Sequence, residues 1–532
     1  MTMELEARLG ELLRRAAFPH PAANLRLIET HISWVILAGR YAYKLRKPVD
    51  FGFLDFTTLA ARRADCEAEV VLNRRLCPDL YIGIEDVVER EGQLYIGGPG
   101  RALEPAVKMH RIPDSGMLPA LIGRRAIDVR LMDRLAKQLA EFHQAAATGA
   151  GVDCHGTPKV IRENWTENFI QTASFGGSIL DDTVRDTVHT AMETFLATHA
   201  DLLESRIRNG RIRDGHGDLH AGSVCISRRR LYLFDCIEFN ARFRDADVAA
   251  DVAFLAMDLD HLGRADLGHA FVDAYVRHSG DRELRDVLAF YKCYRAFVRG
   301  KVLGFRLVGP AAAVPGADQL RRDARSYFDL AYAYAAPSPR PRLVVCMGLP
   351  ASGKSTLALA LAGRLGLIHV SSDVTRKRLV GLHPTARALE GFERGLYSRA
   401  MSRRTYAAMK RSAARCLRRG HSVVLDATYG QPAQRAAIAA LARRTGAQLT
   451  VLVCRADENT IKARLAARAS DRTATSDARL ELWPALQAAF IEPSELRSAL
   501  NVDTTGDLDR TIAQVLAAIR SSVLAAPSVR AA

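Results

Sequence analysis

No stretch of these 532 residues approaches the roughly 20 consecutive apolar positions that a membrane-spanning helix needs. The opening segment, from Met1 to Leu9, alternates acidic and basic side chains and lacks the apolar core of a secretory signal. Cysteine is thinly spread: nine residues with no C-x-x-C spacing and no cluster. That pattern argues against a disulfide or zinc framework and for reduced thiols, so a cytoplasmic protein is expected. Internal repeats are lacking. What remains is ordinary, with 48% hydrophobic and 25% charged residues, and the chain is too long for a single core, so two or three domains are expected.

The most informative segment begins at Arg342. An apolar run suited to a buried parallel strand, Leu343–Met347, ends in a loop framed by Gly348 and Gly353. Lys354, Ser355 and Thr356 then open a helix-forming stretch. In such a G-x-x-x-x-G-K-[ST] loop, the backbone from Gly348 through Pro350, Ala351 and Ser352 to Thr356 turns its N–H groups toward a phosphate, and the helix N-terminus adds positive potential. Lys354 is expected to reach the β/γ-phosphates of ATP, and the Ser355 hydroxyl to take one position around Mg²⁺.

Pro337, Pro339 and Pro341 alternate just ahead of this loop and cannot continue the helix predicted over Ala317–Ala335. They divide the chain into residues 1–336, a linker at 337–341 and residues 342–532. The first block starts with a hairpin, 31–38 and 41–45, followed by a helix over Leu59–Leu76. Strands are predicted near 81–88, 94–96 and 106–109, and mainly helices beyond Arg124, among them 181–207, 246–261 and 284–306. A small sheet-rich lobe before a larger helical lobe suits a nucleotide cleft. The second block alternates strand and helix (343–347, 354–365, 368–370, 390–419, 422–425, 431–445, 448–453, 457–468), the pattern of a doubly wound parallel sheet. The fold class is thus α/β and α+β in two domains. Charge separates the blocks too: 29 Lys+Arg against 14 Asp+Glu follow residue 341, a balance of +15 within the chain's +16. A solvated arginine-rich surface with several arginines facing ATP explains this. An anionic acceptor such as a nucleic-acid end is the other reading, disfavoured because basic and aromatic residues do not interleave.

Within the first block, Asp214-Gly-His216-Gly-Asp218-Leu-His220-Ala-Gly-Ser223 and, one hairpin later, Phe234-Asp235-Cys-Ile-Glu-Phe-Asn240 resemble the aminoglycoside phosphotransferase family, whose fold is protein-kinase-like and bilobal. The resemblance implies that Asp218 accepts the proton of a substrate hydroxyl, that His216 orients the loop and that Asp235 holds Mg²⁺. It further implies that Lys44 pairs with the α/β-phosphates and with Glu69, which suits the spacing better than Glu67. Ser223 stands where the family has a metal-binding, loop-bracing Asn, and a serine does either from a shorter arm. The family's glycine-rich loop is missing near Leu27–His31. Asp50-Phe51-Gly52 copies a kinase metal motif but precedes the catalytic loop. Ala106–Met109 is expected to be the hinge strand whose backbone faces adenine. Asp258, Asp260 and His261, with the basic helix Tyr291–Arg299, are candidates to face an acceptor. With Pro48–Asp55 added, roughly residues 20–310 look like the subgroup fused ahead of a P-loop kinase.

In the second block Asp373 and Arg376 form a D-x-x-R that resembles small P-loop kinases, including gluconate kinase, chloramphenicol phosphotransferase and the kinase domain of polynucleotide kinase. The likeness implies Asp373 as general base and Arg376 as clamp, although Asp373 also suits a helix N-cap. By the same likeness Asp426 ends a strand as a metal or acceptor contact, Arg464 and Arg468 share a helix face as lid arginines, and Asp503–Thr505 lies near adenine. The expectation is a bifunctional enzyme that moves the γ-phosphoryl group of ATP·Mg²⁺ to a hydroxyl of a small molecule. A polynucleotide end-processing kinase, or a P-loop kinase gated by a degenerate sensor, is the alternative.

Overall fold

The computed structural model describes residues 6–30, 32–50, 52, 54–308, 316–471 and 473–524. His31, Phe51 and Phe53, which belong to the hairpin start, to Asp50-Phe51-Gly52 and to Pro48–Asp55, lie outside the described residues. The chain forms two compact units. One comprises residues 1–165, 196–255 and 271–291; the other comprises 166–195, 256–270 and 292–532. Among the described residues no helix is long and apolar enough to cross a membrane.

In the first unit, short runs rich in β-branched and aromatic residues form a six-stranded sheet: β1 (Arg26–Glu29), β2 (Ser33–Ala38), β3 (Tyr41–Arg46), β4 (Tyr81–Arg90), β5 (Gln93–Ile96) and β6 (Arg101–His110). Its order is β1-β2-β3-β6-β4-β5, every pair antiparallel, with Val35 opposite Lys44 in the expected hairpin. Trp34, Ile36, Tyr43, Leu45 and Val87 fill the core on one face. Helix α1 (Leu59–Arg74), capped by the Thr58 hydroxyl accepting from the Ala61 N–H, buries Arg62, Asp65, Cys66, Glu69, Val70 and Asn73. Those positions recur at helical spacing, and half of the inward stripe is charged. Buried charge persists only where it is paired, which marks this face as a site.

The expected hinge role of Ala106–Met109 is corrected here. Strand β6 lies between β3 and β4, and the backbone of residues 106–109 bonds to both neighbours, leaving none of it to face a nucleotide. The helix expected over 181–207 is broken at His199, whose φ and ψ of −123° and 23° depart from helical values. Two short ladders close the unit: β7 (Ile212–Asp214) with β10 (Asp245–Asp247), and the hairpin β8 (Val224–Ser227) and β9 (Arg230–Leu233).

The second unit contains a five-stranded, all-parallel sheet ordered β12-β13-β11-β14-β15, with β11 Arg342–Met347, β12 Ile368–Ser371, β13 Val423–Asp426, β14 Gln448–Arg455 and β15 Leu500–Asp503. Alternate residues of each strand enter different cores. Leu343, Val345 and Leu425 meet one set of helices, whereas Val344, Cys346 and Val424 meet the other, the doubly wound arrangement read from the sequence. The helix expected at 390–419 starts only at Arg399, where the Ser398 hydroxyl accepts from the Met401 N–H. Asp258 and Asp260 are buried and His261 is partly buried, each held by neighbouring side chains rather than turned to an acceptor. Tyr327 donates to Asp258 (2.7 Å), Lys292 and Tyr334 both reach Asp260 (2.6 Å each), and His261 stacks on Tyr327 with ring centres 3.8 Å apart. Arg295, from the same basic helix, is equally buried.

Candidate active sites

Strand period two puts Lys44 and Arg46 on one face of β3, opposite the charged stripe of α1. Lys44 Nζ contacts Glu69 Oε1 at 3.0 Å and Asp235 Oδ1 at 2.7 Å. Arg46, fully buried, reaches the other Glu69 oxygen at 2.6 Å and also pairs with Asp65 and Glu238. Two cations thus meet four carboxyl groups in one cluster. The Lys44 ammonium holds the Asp235 carboxyl down at about 2, although burial opposes it. Burial raises Asp65 and Glu238 despite Arg46. The Asp235 side chain is half exposed and its φ is 68°, a left-handed conformation that only the surrounding bonds justify. Those bonds are the Asp235 N–H donating to the Tyr81 hydroxyl oxygen (3.3 Å) and the Cys236 N–H donating to Asn73 Oδ1 (2.9 Å).

The Asp218 loop is held from beneath by Asp251. Its carboxylate accepts from the His216 N–H (2.7 Å) and the Gly217 N–H (2.9 Å), and lies 3.2 Å from His143 Nε2. Burial lowers the pKa of His216, and one neutral tautomer satisfies both ring nitrogens: Nε2–H donates to the Phe234 carbonyl (3.1 Å) and Nδ1 accepts from the Asp218 N–H (3.3 Å). Ser223 Oγ donates to the Asp218 carbonyl (2.8 Å) and accepts from the His220 N–H (3.1 Å), so this hydroxyl braces the loop. The Asp218 carboxylate stays 38% exposed, with His220 Nε2 at 3.7 Å. Asp251→Ala is expected to leave two buried amides without an acceptor and cost about 3 kcal/mol or more. A lower denaturant midpoint, with Asp251→Asn intermediate, is the expected measurement.

In the second unit the loop between β11 and helix α2 (Lys354–Leu365) curls as expected. Gly348 has φ 142°, and a Cβ there would sit 2.4 Å from the Cys454 carbonyl; Gly353 has φ 77°, and its Cβ would strike Thr504 Oγ1 at 2.8 Å. Only glycine fits at either position. The Gly348 N–H donates to Thr428 O and the Ser352 N–H to Leu349 O, while those of Ala351, Gly353, Lys354 and Ser355 have no protein acceptor among the described residues. Four free donors at a helix N-terminus form an anion cradle. Beside it, buried Asp426 has one oxygen, Oδ1, with no partner and the other 3.5 Å from His369 Nε2. Burial opposes its ionisation, but His369, Lys354 and the Ser355 hydroxyl together keep its pKa below the ordinary carboxylate value.

These residues fit a divalent cation: a hydroxyl and an orphaned buried carboxylate oxygen beside a phosphate cradle. Among the described residues no group of three or more His, Cys, Asp or Glu forms a cage by itself, so phosphate and water would complete the shell. Asp373 is not an N-cap. Ser371 takes that place on helix α3 (Ser372–Arg378), and Asp373, inside the first turn, meets Arg376 at 3.1 Å. The Arg376 guanidinium lies 4.6 Å from the centre of the Tyr397 ring, whose hydroxyl donates to Asp477 (2.7 Å). Lys377, wholly buried, binds the same Asp477 at 3.1 Å. Arg464 donates to Thr504 O (2.6 Å) and Ala351 O (3.3 Å), against the phosphate loop, and burial lowers the pKa of Arg468, which senses the charge of Asp373.

Arg46, Asp65, Glu238 and Asp251, and Lys377, Tyr397 and Asp477, are structural partners that motif reading missed. Arg46 was accessible, since it shares a strand face with Lys44. Asp251 and Asp477 lie in no motif.

The AAA_33 family model, an AAA domain, matches residues 343–493. The uncharacterized protein Rv2004c of Mycobacterium tuberculosis is 33% identical over 509 residues, covering 95% of this chain and 98% of its own. Among solved structures, a choline/ethanolamine kinase family protein from Mesorhizobium loti is 12% identical over 69% of this chain and 100% of that chain, with a TM-score of 0.38. A gluconokinase from Sinorhizobium meliloti is 18% identical over 35% of this chain and 94% of that chain, with a TM-score of 0.25.

Proposed function

The chain belongs to the family of Rv2004c along nearly its whole length, and from that premise we propose that it is a bifunctional phosphotransferase. Each domain, 1–336 and 342–532 about the linker 337–341, takes ATP and passes its γ-phosphoryl group to an alcohol of a small molecule. The observation that carries this reading is the phosphate cradle: four unpaired amides beside Lys354, Ser355 and the orphaned Asp426 oxygen. Gly348 to Thr356 wrap the β- and γ-phosphates, and Lys354 neutralises them. Ser355 and Asp426 would hold Mg²⁺, which when bound offsets charge on the bridging phosphate oxygens. Asp373 accepts the acceptor's hydroxyl proton while Arg376 fixes the carboxylate. Arg468 faces the transferring group, and Arg464 secures the loop edge.

In the first domain Lys44, held by Glu69, binds the α/β-phosphates, Asp235 would hold Mg²⁺, Ser223 braces the loop and Asp218 takes the proton. All nine cysteines are free, which supports a cytoplasmic setting. The test is transfer of label from γ-labelled ATP to a pool of small polar metabolites. In an Asp218→Asn background, which silences the first domain, Asp373→Asn is expected to slow transfer by the second domain about 100- to 10,000-fold while leaving the KM for ATP within about twofold. Undiminished transfer by that variant removes Asp373 from the reaction.

A further inference from the structure

Residues 394–456 contain 13 Lys+Arg and a single acidic residue, the buried Asp426. Most of the protein's net charge of +16 is therefore concentrated in about an eighth of its length. Two helices carry it, α4 (Arg399–Arg418) and α5 (Pro432–Thr445), and neither contains an Asp or Glu.

Both helices turn their apolar stripes to the same sheet face. Met409, Ala413 and Leu417 of α4 share one core with Ile438, Leu441 and Ala442 of α5. Their outer surfaces are consequently neighbours. On α4, Arg404, Arg411, Arg415 and Arg418 follow at intervals of seven, four and three residues, one straight stripe about 21 Å long at 1.5 Å per residue. Arg403 and Arg419 flank it, and Arg443 and Arg444 extend it on α5. All eight are exposed, and among the described residues none lies within 4.0 Å of a carboxylate oxygen. In the same segment Arg399, Arg435 and Arg455 do find glutamate partners.

We propose that this face binds the phosphodiester backbone of duplex nucleic acid. A rigid row of guanidiniums without counter-charges matches a ligand with a dense, regular line of anions. A membrane surface fits less well, because the apolar sides of both helices are locked in the core and have nothing to insert. A single strand fits less well too: α5 has no aromatic residue, and Tyr406, the one aromatic of α4, is packed against Tyr429 at 5.2 Å, so no platform for base stacking is offered. The inference is independent of the phosphotransferase reading, since binding is measured without ATP.

The experiment is fluorescence anisotropy of the full chain with labelled 20-base-pair DNA and RNA duplexes in rising NaCl. Five phosphates neutralised, one by each arginine substituted below, predict a log–log slope of about −4.5, so affinity falls about 500-fold between 50 and 200 mM salt. Combining Arg411→Gln, Arg415→Gln and Arg418→Gln is expected to flatten the slope by roughly three. Glutamine keeps helix propensity at these exposed positions, and circular dichroism checks the fold. Arg443→Gln with Arg444→Gln gives a second, independent reduction. Binding to either duplex with these losses supports the proposal, and the DNA and RNA arms identify which backbone is preferred. No binding at 50 mM salt, a slope indifferent to both sets of variants, or tighter capture by phosphatidylserine vesicles than by duplex overturns it.

Discussion

Lys354→Ala is expected to reduce phosphoryl transfer by the second domain about 100- to 1,000-fold, equivalent to roughly 2.7–4 kcal/mol of lost charge stabilisation. The argument is electrostatic. Lys354 stands at the first position of α2, where the free amides of Ala351, Gly353, Lys354 and Ser355 already gather positive potential. Among the described residues its Nζ finds the Leu349 carbonyl of its own loop, at 3.5 Å, and no carboxylate within 4.0 Å, although its charge helps to keep buried Asp426 ionised. The ammonium is therefore available to a phosphate. The fold is expected to survive while turnover is lost. Because the first domain is also proposed to use ATP, the measurement is made in an Asp218→Asn background. Gly353→Ala gives a complementary result: its Cβ would lie 2.8 Å from Thr504 Oγ1 at φ 77°, so weaker nucleotide binding accompanies a strained loop. A Lys354→Ala protein that transfers label at the parental rate refutes the cradle as the phosphate site.

The fold was legible where periodicity is long or punctuation strong. The parallel sheet of the second unit follows from short β-branched strands between helix-forming stretches, and β11, α2 and α5 begin and end within a residue or two of expectation. The errors have local causes. Residues 390–398 have helical composition but contain Gly391 and Gly395, and the helix waits for Ser398 to cap it. Asp258, Asp260 and His261 read as candidates to face an acceptor because sequence cannot reveal that Lys292, Tyr327 and Tyr334, remote in the chain, return to pair with the two carboxylates. The same blindness to long-range pairing misplaced Ala106–Met109, whose neighbours on both edges are known only once the strand order is known.

The sites divide in a similar way. Lys44, Glu69 and Asp235, far apart in the chain, converge within 3.0 Å, and Asp373 and Arg376 pair within one turn. These residues sit in compact motifs or at element ends, where spacing carries geometric information. Their supports do not. Asp251 acts on His216 and Gly217 from the first turn of a helix, and Asp477 gathers Lys377 and Tyr397 from two other segments. Such positioning groups have no fixed offset from the residues they serve, so only the fold identifies them. Ser223 is intermediate: its departure from the family's Asn was visible, but its use of the hydroxyl on the backbone at Asp218 and His220 was not.

Asp218→Asn is expected to abolish transfer by the first domain, with a loss of about 100- to 10,000-fold and an almost unchanged KM for ATP. The two effects separate because the residues differ in place. The proposed ATP side comprises Lys44, Glu69 and Asp235, which the substitution does not touch, while Asp218 projects from a loop held by Asp251, His216 and Ser223. An amide is isosteric with the carboxylate, makes no demand on those bonds and cannot accept the proton of a substrate hydroxyl. The measurement is label transfer from γ-labelled ATP in a Lys354→Ala background, so that only the first domain contributes. Ser223 gives the contrary outcome a physical meaning. Its hydroxyl braces the backbone, so the proposed metal-holding role falls to Asp235 alone. If Asp218→Asn transfers label no more slowly than its parent while still binding ATP through Lys44, the first domain is a nucleotide sensor. Changes in its occupancy are then expected to alter turnover by the second domain, which the same labelled assay reads when Lys354 is restored.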